Sequence, residues 1–427
     1  MIFLYRILTY LSYPILILII FFRKIKNKED NERYKEKIFV SYFNPKKDRN
    51  LKLIWFHAAS IGELKSIIPI IKNLKKENKK LQFLVTTITL SSANLAKDIF
   101  VNETSIFHRF FPLDIEFLQN NFLNMWRPDV IFLVDSEIWP NMILKAKKMN
   151  IPLAIINARI TKRSFKRWMF IPKTAKKIFS SFDLCLTSNL ETKDFLQRLN
   201  VSKVLYFGNI KLINTKDNDK TLYKNKDVLL NNKFWCAIST HKNEEEFCLK
   251  VHQLIKKKYK TIKTIIAPRH IERSHEIKKI CDNKNLSCQI LNKNDLILSD
   301  KEIIIINSFG MLSNFFNFSR SVFMGKSLIK KFEIDGGQNP IEAAKLGCKI
   351  YHGPYVYNFK EIYEILEKYD ISEKIDTVEK LADNLIIDFD ENKNISKNLS
   401  IKLDILSDEI LEKTMKNINK FLLNDNK

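Results

Sequence analysis

The stretch L-K-L-I-W-F-H-A-A-S-I-G-E-L at 51–64, continuing as K-S-I-I-P-I-I-K-N-L-K-K at 65–76, decides the fold. An apolar run ends in an S-I-G-E turn, and apolar residues then recur at helical spacing. Strand, turn and helix in that order open a parallel α/β sheet. The alternation repeats, with apolar runs at 81–87, 129–135, 152–157, 184–188 and 203–208. Such runs belong to strands buried on both faces. A charged, Asn-rich linker at 214–233 interrupts the pattern, which resumes at 234–240, 264–268, 288–291, 303–307, 321–325 and 348–351. The expectation is an α/β protein of two Rossmann-like, doubly wound parallel-sheet domains, 50–213 and 233–400, facing a crevice. A polar linker at 27–50 precedes them. Residues 379–422 read as helix without strand, and segment 401–427 is a candidate for packing back on the first domain. Ligands of doubly wound sheets bind beyond the carboxyl ends of the strands.

The first 28 residues read differently. Ile7 to Phe22 carry no charge, and Arg23, Lys24, Lys26 and Lys28 follow at once. A spanning helix needs about 20 residues, and residues 1–5 extend the apolar stretch past Arg6. No small-residue cleavage site follows, which argues against a removed signal peptide. The trailing basic cluster places the C-terminal side in the cytoplasm. Residues 1–28 are therefore expected to anchor the protein at the inner (cytoplasmic) membrane, with both domains on its cytoplasmic face. A buried first helix of a soluble fold is the alternative.

The formal net charge is +24, from 72 Lys and Arg against 48 Asp and Glu. That balance attracts anionic partners such as a membrane surface, phosphorylated lipid or sugar nucleotide. Nucleic acid is not expected, because the charge is scattered and no binding motif accompanies it. The six cysteines show no paired or zinc-type spacing and read as buried thiols of a reducing compartment.

Only eight glycines occur, six of them between Gly310 and Gly353. Ordinary usage is about 7%, so glycine is expected to persist where positive φ or close backbone approach demands it. M-G-K-S at 324–327 resembles the tail of a P-loop, but Arg320 stands where that motif requires its first glycine. A P-loop is excluded on that ground.

Several residues at predicted strand ends suit chemistry. Glu63, after Gly62, is a candidate general base toward a hydroxyl; a helix-start carboxylate beside the dipole is the structural alternative. Ser60 lacks the G-x-S-x-G setting of a nucleophile and reads as a cap. Asp135 and Glu137 stand two apart, and share a face if the strand runs that far. Arg159, Lys162 and Arg163 form a basic loop. In the second domain, His241 follows a strand in S-T-H, and A-P-R-H-I-E-R supplies Pro268, Arg269 and Arg273, whose guanidinium groups suit phosphate. His270 and His275 lack a third ligand, so no metal is expected. In D-G-G-Q-N-P-I-E, with Gly336, Gly337 and Gln338, a helix is expected near Pro340 with Asn339 as its cap. Its N–H groups suit phosphate, and Glu342 suits a ribose diol.

Taken in order, H-A-A-S-I-G-E, E-I-W-P-N, N-A-R-I, G-N-I-K, S-T-H, A-P-R-H-I-E-R, G-G-Q-N-P-I-E and H-G-P-Y-V-Y-N-F, between about Trp55 and Phe359, resemble the bacterial 3-deoxy-D-manno-octulosonic acid (Kdo) transferases of lipopolysaccharide synthesis. The resemblance implies a GT-B fold, CMP-Kdo as donor, lipid IVA as acceptor, inverting displacement, and neither cofactor nor catalytic metal. It implies Glu63 as general base and Asp135 and Lys211 as transition-state stabilisers. It assigns CMP binding to Pro268 and Arg269, to the turn Phe309, Gly310 and Met311, and to Asn339, Pro340, Ile341 and Glu342. The chain departs from the family pattern at Asp135, where Glu is usual, at Asn307 and Met311, which replace two acids, at Gln338, which replaces His, and at Lys326 in G-K-S. A homologue that binds sugar nucleotide or lipid with impaired catalysis is the alternative these departures raise.

Overall fold

The structure, a computed structural model, describes residues 1–39, 47–213, 224–308, 310–390 and 394–424, with side chains between 394 and 424 described only at Leu399 and 401–423. Phe309 and residues 214–223 of the expected 214–233 linker lie outside the described residues. Two compact units divide the chain: Met1–Thr215 with Ser407–Lys427, and Lys216–Leu406.

The first unit is built on β1 (Lys52–His57), β2 (Leu81–Thr87), β3 (Ile106–Phe110), β4 (Val130–Val134), β5 (Leu153–Ala158), β6 (Leu184–Thr187) and β7 (Val204–Tyr206), in the order β3-β2-β1-β4-β5-β6-β7. Every ladder is parallel. The chain starts at the centre, winds out to β3, returns to β4 and winds out to β7. The winding reverses between β1 and β4, which is where such sheets bind ligands. Trp55, Phe122, Trp126, Leu133 and Phe179 form the interior of one face.

The second unit repeats the design with β8 (Phe234–Thr240), β9 (Lys263–Pro268), β10 (Cys288–Leu291), β11 (Ile303–Ile306), β12 (Ser321–Met324), β13 (Lys349–His352) and β14 (Ser372–Lys374). The order is β10-β11-β9-β8-β12-β13-β14, again parallel throughout, and its winding reverses between β8 and β12. The sequence patterns had no place for β3 and β14. Both are edge strands with polar residues, I-F-H-R-F and S-E-K, because an edge needs no apolar face on both sides.

Within the segment expected as a polar linker at 27–50, residues 27–39 cover the β3 edge. Glu36 accepts from the Phe110 amide at 2.7 Å, Arg33 donates to the His108 carbonyl at 3.0 Å, and buried Lys37 pairs with buried Glu29 at 2.5 Å. Charged side chains here satisfy edge amides that would otherwise lack partners. The helix Ile2–Ile25 is long and apolar enough to cross a membrane. The cysteines are free; five are buried and Cys288 is half-buried.

Candidate active site

At the reversal point of the first sheet, β1 runs into the helix Ile61–Glu77 through A-A-S-I-G-E. Ser60 is its N-cap, its hydroxyl facing the Glu63 amide at 3.4 Å and donating to Glu63 Oε1 at 2.8 Å. Glu63 Oε2 accepts from the Ala59 amide at 2.8 Å. Ser60 and Glu63 thus make a variant of the capping box in which the glutamate reaches one residue further back. Burial pushes the Glu63 carboxyl above its ordinary range; the two hydrogen bonds oppose this, while the negative charges of Asp135 and Glu137 add to it. A carboxylate raised in this way is a better proton acceptor near neutral pH. Gly62 has open space where a side chain would stand, so this glycine is not required by packing.

Asp135 and Glu137 do not share a strand face, as the spacing had suggested. β4 stops at Val134, and Asp135 takes the left-handed conformation, φ 63. That turn sends the two carboxylates to different partners. Asp135 pairs with Lys211 Nζ and accepts from Ser136 Oγ at 3.1 Å. Glu137 accepts from Trp139 Nε1 at 2.9 Å and faces His57 Nε2 at 3.3 Å. Lys211 is held by its own loop: Asn209 Oδ1 accepts from its amide, and Asn157 Oδ1 accepts from the Ile210 amide, each at 3.0 Å. The Arg159 amide donates to the Asp135 carbonyl at 3.2 Å, so Arg159 belongs to the same turn. N-A-R-I and G-N-I-K therefore act together to fix one ion pair.

His57, at the end of β1, is not among the sequence candidates. Trp55 Nε1 donates to Thr86 Oγ1 at 2.9 Å, and that hydroxyl lies 2.9 Å from His57 Nδ1. For a neutral ring to donate from Nε2 toward Glu137, Nδ1 must accept the Thr86 proton. One consistent chain of donors then runs from the core to the Glu137 carboxylate. The signal was the polar H in an otherwise apolar strand, since His57 is fully buried.

In the second unit, the corresponding reversal point brings together the ends of β8, β9 and β12. The Arg269 amide donates to the Thr240 carbonyl at 3.0 Å; Pro268 is buried and the Arg269 side chain exposed. His241 packs on Phe332 and His270, with ring centroids 5.0 and 5.7 Å away. Burial, then the charges of Lys326, His270, Lys331 and Arg273, lower its pKa to about 4, so the ring is neutral at physiological pH. His241 Nε2 and Thr240 Oγ1 are buried without a hydrogen-bond partner. Unmet polar atoms at a strand end are what a ligand would satisfy.

The D-G-G turn is held by packing. A Cβ on Gly336 would lie 2.3 Å from the Tyr355 carbonyl oxygen and 2.5 Å from that of Phe332, which no side chain tolerates. Lys326, itself at φ 58, donates to Asp335 Oδ2 at 2.9 Å, and the Gly337 amide donates to the Lys326 carbonyl at 2.7 Å. G-K-S and D-G-G thus brace each other. Tyr363 donates its hydroxyl proton to the Gln338 carbonyl at 3.0 Å.

Two other expectations here need correction, on Arg273 and on the helix near Pro340. Arg273 is not held ready for phosphate: its guanidinium grips buried Glu245 at 2.7 and 3.3 Å and also pairs with Glu276. The helix expected near Pro340 is only Ile341–Lys345, too short to gather much dipole. Pro340 stands at its formal cap; Asn339 Oδ1 accepts from the Ile341 amide at 3.1 Å, and Asn339 and Glu342 are exposed. Gly310 has φ 79 and is exposed, whereas the Met311 side chain is buried. Asn307 is committed to Ser274 and Asn292. Among the described residues, no group of three or more His, Cys, Asp or Glu is placed to hold a metal ion.

Two doubly wound parallel-sheet units in one chain make a fold of the GT-B class. A UDP-GlcNAc 2-epimerase from Neisseria meningitidis, solved with UDP-GlcNAc, is similar in fold: 15% identity, TM-score 0.58, covering 87% of this chain and all of that one. Residues 32–214 match the family described as 3-deoxy-D-manno-octulosonic-acid transferase (kdotransferase). A 3-deoxy-D-manno-octulosonic acid transferase of Rickettsia bellii is 32% identical over 82% of each chain. A probable mitochondrial one of Arabidopsis thaliana is 30% identical over 83% of this chain and 80% of its own. The chain belongs to the Kdo transferase family.

Proposed function

We propose that the protein transfers Kdo from CMP-Kdo to lipid IVA, without a metal ion, at the cytoplasmic face of the inner membrane. The observation that carries this reading is the raised Glu63 carboxyl set near the Asp135–Lys211 ion pair. Glu63 takes the proton of an acceptor hydroxyl, whose oxygen attacks the anomeric carbon of Kdo. The bond to the CMP phosphate breaks, and the configuration inverts. Lys211, held in place by Asp135, and Arg269 offset the charge that develops as CMP leaves, a role suited to donors already fixed in place. His241, neutral with an unmet Nε2, and the turn at Gly310 hold the nucleotide.

The direct test is incubation of the purified protein with CMP-Kdo and lipid IVA in the presence of EDTA. Free CMP and a glycolipid heavier by Kdo are expected. No CMP release, under conditions where a known Kdo transferase releases it, refutes the reading. Calorimetry with CMP separates the impaired homologue, which binds nucleotide without turnover.

A further inference from the structure

The helix Ile2–Ile25 is amphipathic in an inverted sense. Phe3, Leu8, Leu11, Ile15, Leu18 and Phe22 are exposed, from 56% to 77%. The opposite stripe carries its polar groups and meets the folded first unit. Tyr5 donates to Asp114 at 2.9 Å, Arg6 pairs with Glu116 at 2.8 Å, and Tyr13 donates to the Ile38 carbonyl at 2.8 Å. Lys24 lies 4.9 Å above the Tyr34 ring. A surface helix facing water turns its apolar stripe inward; this one turns it outward.

These contacts run the length of the helix. From Tyr5 to Lys24 is roughly 28 Å of helix, close to the ~30 Å hydrocarbon thickness. One folded body grips both ends. A transbilayer placement would draw the body that carries Asp114 and Glu116 through the hydrocarbon toward its far side, where charged groups are costly. Lying in the interface satisfies both stripes.

A second feature lies on the same side of the sheet. The helices Lys162–Met169 and Pro172–Phe179 meet at a turn whose Phe170 is 84% exposed. Residues 162–177 hold seven Lys and Arg and no acid. Trp168, beside that turn, packs against the same apolar cluster as Tyr13 and Leu16 of the first helix. An exposed aromatic ring amid unopposed basic charge matches an anionic lipid surface.

We propose that the first unit is monotopic: the outer face of Ile2–Ile25 and the Phe170 turn together dock onto an anionic bilayer, the helix lying in the interface and not crossing it. The choice of membrane rests on the function proposed above. The test reads binding and orientation without turnover, so its failure is distinct from failure of that reading.

An N-terminal polar tag with a protease site is added to the full chain, and sealed inverted inner-membrane vesicles, cytoplasmic face outward, are treated with protease. Cleavage without detergent is expected; protection until detergent is added overturns the monotopic placement. Phe170→Cys, in a Cys288→Ser background, is labelled with an environment-sensitive dye and mixed with phosphatidylcholine vesicles with or without phosphatidylglycerol. At least a twofold rise in emission with the anionic vesicles is expected, with a smaller one on neutral vesicles. The same dye at Leu230→Cys, exposed on the second unit, is the control for a surface outside the docking face. Emission from position 170 no greater than from 230 overturns the second contact.

Discussion

Replacing Glu63 by Gln separates catalysis from stability in a way the capping geometry makes quantitative. The ionised carboxylate accepts from the Ala59 amide and the Ser60 hydroxyl. A Gln side chain still accepts from Ala59 through its oxygen, and its NH2 donates to Ser60 Oγ once that hydroxyl turns. No polar group is stranded, so the packing cost is small, within about 1 kcal/mol. The linkage works in the variant's favour. Glu63 has a raised pKa in the folded protein, so folding favours its protonated form. The stability associated with that proton is fully present below the unfolded pKa and lost as pH rises through the folded value. Ionised Glu63 therefore weighs against the fold at neutral pH, and Gln removes that penalty. The rate responds in the opposite direction. Loss of a general base costs about 10²- to 10⁴-fold, or roughly 3–5 kcal/mol in the barrier. Glu63→Gln should thus show kcat reduced by at least 100-fold with an unchanged or higher Tm at pH 7.5. Its stability advantage should shrink as pH falls toward 4.5. CMP release and calorimetric melting across pH provide the measurements. A variant keeping more than a tenth of the rate refutes the base assignment, and a Tm lowered by many degrees refutes the hydrogen-bond argument.

Lys211→Met leaves the buried Asp135 carboxylate without its cation and should cost about 1–3 kcal/mol of stability as well as at least 100-fold in rate. Adding Asp135→Asn should restore much of the stability and none of the rate, which a double-mutant cycle of melting and turnover resolves. His241 is neutral in the fold down to about pH 4, below the ordinary 6.5, so its contribution to stability is present above 6.5 and lost as pH falls through 4. His241→Asn should flatten stability against pH across that window while weakening CMP binding; an unchanged melting profile between pH 4 and 6.5 argues against the assignment. Gly336→Ala drives a methyl into two backbone carbonyls and should destabilise the fold by about 1–3 kcal/mol or more. CMP affinity should fall with it, and a Tm within a degree of wild type would show that the turn gives way.

Both sheets were legible in the sequence because their inner strands are continuous apolar runs such as I-I-I-I at 303–306, which only a doubly covered strand carries. The edges were not, because I-F-H-R-F is recognisable as a strand only once Glu36 and Arg33 are known to cover it. Of the candidate site, residue types and order were readable, but not backbone handedness. The left-handed turn at Asp135, which sends it to Lys211 while Glu137 meets His57, is set by contacts 76 and 80 residues apart in the chain. Arg273 looked like a phosphate ligand because local sequence does not reveal that Glu245, 28 residues earlier, already occupies it.

The last helix, Asn394–Asn424, begins in the second unit and ends in the first. There Phe421 meets Phe132 edge-on at 5.9 Å, and Asn419 Nδ2 donates to Glu77 at 2.7 Å. The first unit therefore starts at the N-terminus but acquires its final pieces from the C-terminus. During synthesis it must wait, with part of its sheet face uncovered, until the whole second unit has left the ribosome. Cutting the gene after residue 215 would produce an unfinished layer in place of an independent domain.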